Sequence, residues 1–290
     1  MSSATTIVIC TINRPAIVDE TLRSLVGMPA FQSEIIVSSG SDSSLLPETA
    51  MLPGLRIVTG VKGLTRQRNA ALSLVASKYV LFLDDDVELD AAYIDRMESL
   101  LDAHPDVVIA CGHAVIDRFE TRVPVTREMA VRALAEVKRG ASWEDSPRWI
   151  RGHNMFVRTD IARLVGFDER LPLYALYEDL DFVARCQGHG KAVRNLEARM
   201  AHLGAVSGRI NEVRLGYSQF ANSCYLVRKG IWAAGVVARV FAGQFAKNLL
   251  GSLIVREDDL ADRRSRLKGN VFALVDFARG RLDPGRIVAL

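Results

Sequence analysis

Cysteine is scarce in this 290-residue chain: Cys10, Cys111, Cys186 and Cys224 stand far apart and form no CxxC pair. That spacing suggests neither a zinc site nor a disulfide framework, and it fits a reducing cytosol. Aromatic residues make up only 7% of the chain and no nucleic-acid-binding motif is present, so nucleic acid is not expected as a partner. The opening MSSATTIVIC lacks the basic segment followed by a long apolar stretch that marks a secretory leader. Internal repeats and low-complexity tracts are missing too. What is present is the composition of an ordinary soluble globular protein, 49% hydrophobic and 24% charged. The length predicts one large domain with an appendage.

The net charge of +3 conceals a division. From Ala205 to Leu290 there are fourteen Lys/Arg and seven Asp/Glu, which leaves 23 of 37 basic and 27 of 34 acidic residues before it. An acidic body therefore carries a basic tail, and a basic tail suits an anionic membrane surface as well as a solvated appendage.

Apolar runs of strand length alternate with amphipathic stretches of helix length. TTIVICT, SEIIVSS, LRIVTG, YVLFLD and DVVIACGHAVID read as strands, and RPAIVDETLRSLVG, LTRQRNAALSLVAS and VTREMAVRALAEVKRG as helices, the last closed by Gly140. Continuous apolar strands separated by helices predict an open α/β fold, with a mostly parallel sheet covered by helices on both faces. Ligands of such sheets bind beyond the carboxyl ends of the strands.

YVLFLDDDVELD runs a buried-looking strand into Asp84, Asp85 and Asp86 at such an end. Three adjacent carboxylates repel one another, and a hard divalent cation removes that cost. A solvated acidic turn is the blander explanation. YEDLDF holds a second cluster, Glu178, Asp179 and Asp181, at a helix start where acids also stabilise the macrodipole without further function. Successive helix residues are about 100° apart, so Glu178 and Asp181 share a face while Asp179 points elsewhere. Only part of this cluster can serve one site.

Taken together, TIVICTINRP, GLTRQRNAAL, FLDDDV, RGHNMFVRTDIARLVGFDE and YEDLDF resemble, in order, the motifs of family-2 glycosyltransferases of the GT-A fold, over roughly Thr5 to His202. The resemblance implies a GT-A-like catalytic domain over residues 1–205 and a basic, mostly helical extension over 206–290. It implies metal-dependent, inverting transfer of a sugar from a nucleotide-sugar donor to a hydroxyl of a saccharide or lipid-linked saccharide.

Carried over by position, Asp84 and Asp86 form the DxD-like pair around Asp85, with Mg²⁺ or Mn²⁺ as cofactor and His202 as a further metal ligand. Asp179 becomes the general base. Thr11, Asn13, Arg14, Ser38, Arg68, Asp84 and Asp85 surround the donor nucleotide, and Gly152, His153, Asn154 and Glu178 fall around the sugar and acceptor. Relatives carry an aspartate where this chain has Ser38, a weaker acceptor for a uracil N–H. UDP-sugar is nonetheless the first expectation, with GDP- or dTDP-sugar behind it.

Ile231 to Val255 is long enough to span a bilayer but contains Arg239, Gln244 and Lys247, which suit an amphipathic helix better. Such a helix packs on the catalytic domain, joins two copies into a homodimer, or lies in a membrane interface. Arg228, Lys229 and RRSRLKG would add attraction to anionic lipid, placing a cytoplasmic protein at the inner face of the plasma membrane. The closing GNVFALVDFARGRLDPGRI resembles the extension of bacterial family-2 enzymes that build surface polysaccharide. The alternatives are a nucleotidyltransferase acting on sugar phosphates and a catalytically silent saccharide-binding or scaffold protein.

Overall fold

The computed structural model describes residues 4–29, 31–41, 44–118, 125–138, 142–145, 150–204, 211–253 and 262–290. Gly140, expected to close a helix, lies outside them, as do Asp42 and Ser43 and the tail residue Val255. The chain divides into two compact units. One comprises Met1–Lys62, Arg66–Phe167 and Phe182–Gly208, and the other Gly63–Thr65, Asp168–Asp181 and Arg209–Leu290.

The first unit is built on a sheet of strands β1 (Thr5–Thr11), β2 (Glu34–Ser39), β3 (Leu55–Thr59), β4 (Tyr79–Asp84), β5 (Val87–Leu89), β6 (Val107–Asp117), β7 (Trp143–Asp145), β8 (Asn154–Arg158) and β9 (Lys191–His202). Their order is β3-β2-β1-β4-β8-β6-β9-β5, with β7 also on β9. β3, β2, β1 and β4 pair in parallel, as do β6 and β9. β8 enters antiparallel between β4 and β6. Along β1, Ile7 and Ile9 pack into one core and the intervening Val8 into another. Both faces are therefore buried, as the unbroken apolar runs predict.

Helix α1 (Pro15–Val26) opens with Pro at its first turn and closes on Gly27. α2 (Leu64–Leu72) is shorter than its sequence pattern suggested. α3 (Tyr93–Ala103), α4 (Arg127–Glu136) and α5 (Thr159–Val165) follow, and α6 (Glu178–Cys186) carries the second acidic cluster.

The second unit holds α7 (Glu212–Arg228), α8 (Ala234–Leu253) and α9 (Arg263–Ala278). α7 and α9 cross closely at paired glycines: a Cβ on Gly216 would lie 2.0 Å from the Arg266 carbonyl oxygen, and one on Gly269 2.0 Å from that of Val213. Any side chain there would drive the helices apart. α8 starts three residues later than expected, and its buried side carries Val237, Phe241 and Asn248. Leu249, Leu250 and Leu253 face outward together with Arg239 and Lys247, so charge and apolar surface share one side instead of segregating. No helix among the described residues is long and apolar enough to cross a membrane.

The expectation that Lys229 attracts lipid is corrected here, whereas Arg228 is exposed. Lys229 donates to Asp168 Oδ2 at 2.8 Å and to Asp181 Oδ1, and Arg228 Nη1 donates to the Leu282 carbonyl at 3.3 Å. Lys229 closes α7, and its side chain is taken up by the unit's own carboxylates.

Candidate functional site

Asp84 ends β4, Asp85 and Asp86 form the turn after it, and Val87 begins β5. This turn is pinned on both sides, since Thr21 Oγ1 donates to the Asp85 carbonyl at 2.7 Å and the Leu203 amide donates to that of Asp86 at 3.0 Å. The three side chains have different partners. Asp85 is buried and accepts from Thr11 Oγ1 at 2.6 Å on one oxygen and from Arg14 Nη1 at 3.0 Å on the other. Burial pushes its carboxyl up to about 6 even against the Arg14 charge. Asp85 therefore organises Thr11 and Arg14, with both carboxylate oxygens engaged.

Asp84 and Asp86 face His202. His202 Nε2 lies 3.4 Å from Asp86 Oδ1, and ligand atoms of Asp84, Asp86 and His202 all fall within 4.8 Å of one another. Burial raises the Asp84 carboxyl, offset in part by Arg68, although 39% of that side chain still meets solvent. Burial opposes charge on His202, but its hydrogen bonds to the Asp117 and Asp86 carboxylates outweigh that and move its pKa up to about 10. Without another cation the imidazolium itself supplies the positive charge that the carboxylates require. Two carboxylates and an imidazole nitrogen around one point form a donor set that suits a divalent cation preferring oxygen and nitrogen.

A second triplet, Asp117, His153 and His202, is equally close but does not suit a cation. The two imidazoles are stacked at 4.4 Å between centroids and 11° between planes. Nitrogen lone pairs lie in the ring plane, so two nearly parallel stacked rings cannot aim at one ion. Burial and the neighbouring His202 charge hold His153 below the ordinary histidine range. It is a neutral ring against its partner.

Arg68, only 2% exposed, donates from Nη2 to the Gly152 carbonyl at 2.8 Å and lies 3.6 Å from Asp84, with its guanidinium 5.2 Å from the Phe167 ring centroid. The structure thus brings Arg68, Asp84 and Gly152 together. Asn13 adopts a left-handed φ of 55°, which asparagine tolerates, and accepts from Ser41 Oγ at 3.0 Å.

Two residues sit deeper than a ligand-facing role suggests. Asn154 accepts from Tyr93 Oη and from the Gly112 amide, and donates to the Gly112 carbonyl at 3.4 Å, so its amide is engaged inside the sheet. Ser38 is fully buried and its hydroxyl makes no hydrogen bond among the described residues.

In the second unit, Asp181 is fully buried against Lys229, which also meets Asp168; Tyr225 Oη donates to Asp168 at 2.7 Å. Glu178 is 5% exposed, whereas Asp179 is half-buried and accepts from the Leu180 amide at 2.9 Å. The approach to this helix is strained. Leu173, Ala175 and Tyr177 have φ values of 58°, 54° and 72°, each costing about 1–3 kcal/mol. The segment is held by the Leu64 amide on the Leu173 carbonyl (2.8 Å), Asn222 Nδ2 on the Leu176 carbonyl (2.9 Å) and Gln244 Nε2 on Tyr177 Oη (2.9 Å). Sequence reading missed Asp117 and Asp168, and gave Lys229 a different role. Asp117 carried a usable signal, since it too is an acid closing an apolar strand.

This mixed sheet with helices on both faces, acids at its strand ends and a helical C-terminal region, is the GT-A-like fold, and solved structures share it. S. aureus TarS, solved with UDP-GlcNAc, is similar at 12% identity and TM-score 0.55, over 97% of this chain and 93% of that one. The mannosyltransferase PcManGT from Pyrobaculum calidifontis, solved with GDP-Man and Mn²⁺, is 16% identical with TM-score 0.54, over 97% and 88%. Glucosyl-3-phosphoglycerate synthase from Mycobacterium tuberculosis, solved with Mn²⁺, UDP and glucosyl-3-phosphoglycerate, is 16% identical with TM-score 0.51, over 80% and 81%. Comparison with curated proteins gives no match. Residues 6–165, more than half of the 290, match the family described as Glycosyl transferase family 2, and the chain belongs to it.

Proposed function

We propose that the chain moves a sugar from a nucleotide-sugar donor to a hydroxyl of a saccharide or lipid-linked saccharide, by direct displacement with inversion, in the assembly of a bacterial surface polysaccharide. The observation that carries this reading is the Asp84, Asp86 and His202 triplet at the strand ends of a family-2 chain. When bound there, Mg²⁺ or Mn²⁺ supplies positive charge beside the leaving diphosphate. The chain's own side chains do the rest. Arg68, fixed by the Gly152 carbonyl and Phe167, offers a buried guanidinium to the donor phosphates. Arg14 and Thr11, held by Asp85, border the nucleotide. Asp179 takes the proton from the acceptor oxygen as it attacks the anomeric carbon.

Asp179 is the base by the family pattern and by elimination within its own cluster, because Asp181 is committed to Lys229 and Glu178 is buried. Relatives of this fold solved with UDP, UDP-GlcNAc and GDP-Man support a UDP- or GDP-sugar donor. Outward Leu249, Leu250 and Leu253 beside Arg239 and Lys247 support peripheral contact with the inner face of the plasma membrane.

The test is donor hydrolysis and transfer with Mn²⁺ across UDP-, GDP- and dTDP-sugars, comparing wild type with Asp179→Asn. The variant is expected to keep donor binding and lose transfer by on the order of 10² or more. An equal loss of donor affinity removes Asp179 from the base role. A chain that binds no nucleotide sugar with metal present overturns the transferase reading, and pyrophosphate release from a nucleoside triphosphate would favour a nucleotidyltransferase.

A further inference from the structure

Resting on the metal reading above, we infer that Asp117 is a positioning residue that fixes the tautomer and orientation of His202, so that Nε2 is presented to a cation shared with Asp84 and Asp86. Three observations converge. His202 Nδ1 lies 3.3 Å from Asp117 Oδ1 while Nε2 lies 3.4 Å from Asp86 Oδ1, so the two carboxylates approach opposite edges of one ring. The in-plane directions of the two ring nitrogens diverge, and one cation cannot occupy both edges. Asp117 is thereby placed behind the ring and outside the ligand set. Its carboxylate accepts a hydrogen bond from Nδ1–H and so keeps that proton in place, and the Nε2 proton is the one released to solvent when metal takes the lone pair.

The backbone builds this contact deliberately. Asp117 and His202 are register partners at the ends of parallel β6 and β9, and irregularities between Gly112 and His113 and between Ala114 and Ile116 precede the pairing. A one-residue slip turns a strand side chain to the other face, so such shifts decide which β6 residue meets His202. Beyond the pair, Arg118 Nη1 donates to the Gly204 carbonyl at 3.1 Å and ties the two strand exits together. His153, stacked at 4.4 Å, covers the flat face of the ring and opposes its rotation. A carboxylate behind, a ring across the face and Asp86 in front leave one orientation.

The experiment uses the full chain with Mn²⁺ as probe, followed by loss of the free-ion electron paramagnetic resonance signal. Asp117→Ala and the near-isosteric Asp117→Asn are expected to weaken Mn²⁺ binding by about 10- to 100-fold. Circular dichroism of the metal-free variants should stay unchanged, and Asp117→Glu should restore part of the affinity. In the Mg²⁺-saturated wild type, long-range ¹⁵N–¹H imidazole spectra should show His202 protonated at Nδ1. Unchanged Mn²⁺ affinity in both variants, or an Nε2-protonated His202 in the loaded wild type, overturns the assignment of Asp117 alone. Failure of the wild type itself to bind Mn²⁺ overturns the metal reading and this inference with it.

Discussion

Both units hold a cluster of buried and half-buried aspartates, and the two clusters solve the same electrostatic problem in different ways. In the second unit Lys229 stands between Asp168 and Asp181 and contacts both carboxylates, so the counter-charge is built into the chain. In the first unit Asp85 takes Arg14, Asp84 lies 3.6 Å from Arg68 and Asp86 4.0 Å from Arg14, and Asp84 and Asp86 also share an imidazole, whose charge unlike that of a guanidinium can be given up. The first arrangement is closed and structural. The second ends in an ionisable ring, and its two carboxylates and imidazole form a donor set that suits a divalent cation. Acidic residues alone did not separate the two cases; the identity of the counter-charge did.

This contrast can be broken most severely with Lys229→Met. Removing one partner of a buried ion pair is expected to cost about 3–5 kcal/mol, read as a lower urea midpoint for the second unit, and Asp181→Asn added to it should recover part of the loss. An unchanged midpoint would show that Asp181 does not depend on this cation.

Asp86→Asn should behave oppositely. Mn²⁺ affinity should fall by on the order of 10², yet the metal-free thermal midpoint should hold or rise, because one of several crowded negative charges is gone. A marked drop in that midpoint would make Asp86 a structural acid like Asp181.

Acid sharpens the comparison further. Burial works to raise the Asp168 carboxyl, but hydrogen bonds from Lys229, Tyr225 and the Arg170 amide outweigh it and hold the pKa below the ordinary 3.8. A depressed carboxylate contributes stability that is present above its unfolded value and is lost as pH falls through the folded one. The second unit should therefore weaken below about pH 4, and Asp168→Asn should flatten that limb of the stability profile. The smallest effect expected is from Ser38→Ala, which deletes a buried hydroxyl lacking a partner. Stability should change by less than about 1 kcal/mol, and a selective loss of UDP affinity would show that the hydroxyl meets the base.

Much of the first unit was legible because its strands are buried on both faces. YVLFLD can only be a central strand, and the acids that follow it can only lie at a carboxyl end. The antiparallel insertion of Asn154–Arg158 was not legible, since a five-residue strand with only Met155, Phe156 and Val157 apolar carries no directional signal. Asn154 read as ligand-facing because its neighbours do, but its contacts with Tyr93 and Gly112 join residues 61 and 42 positions away. Lys229 looked like a free surface charge for the same reason: its partners stand 61 and 48 residues upstream. Asp117 needed the register of two strands, bulges included, before it met His202. Periodicity reports which face a residue takes, whereas partners across long separations come only from packing.

Anomalous diffraction from crystals grown with MnCl₂ and UDP tests the central claim most directly. One manganese peak contacting Asp84 or Asp86 together with His202 Nε2 is the predicted result. A peak between His153 and His202, or none within reach of the β4 end, would contradict it.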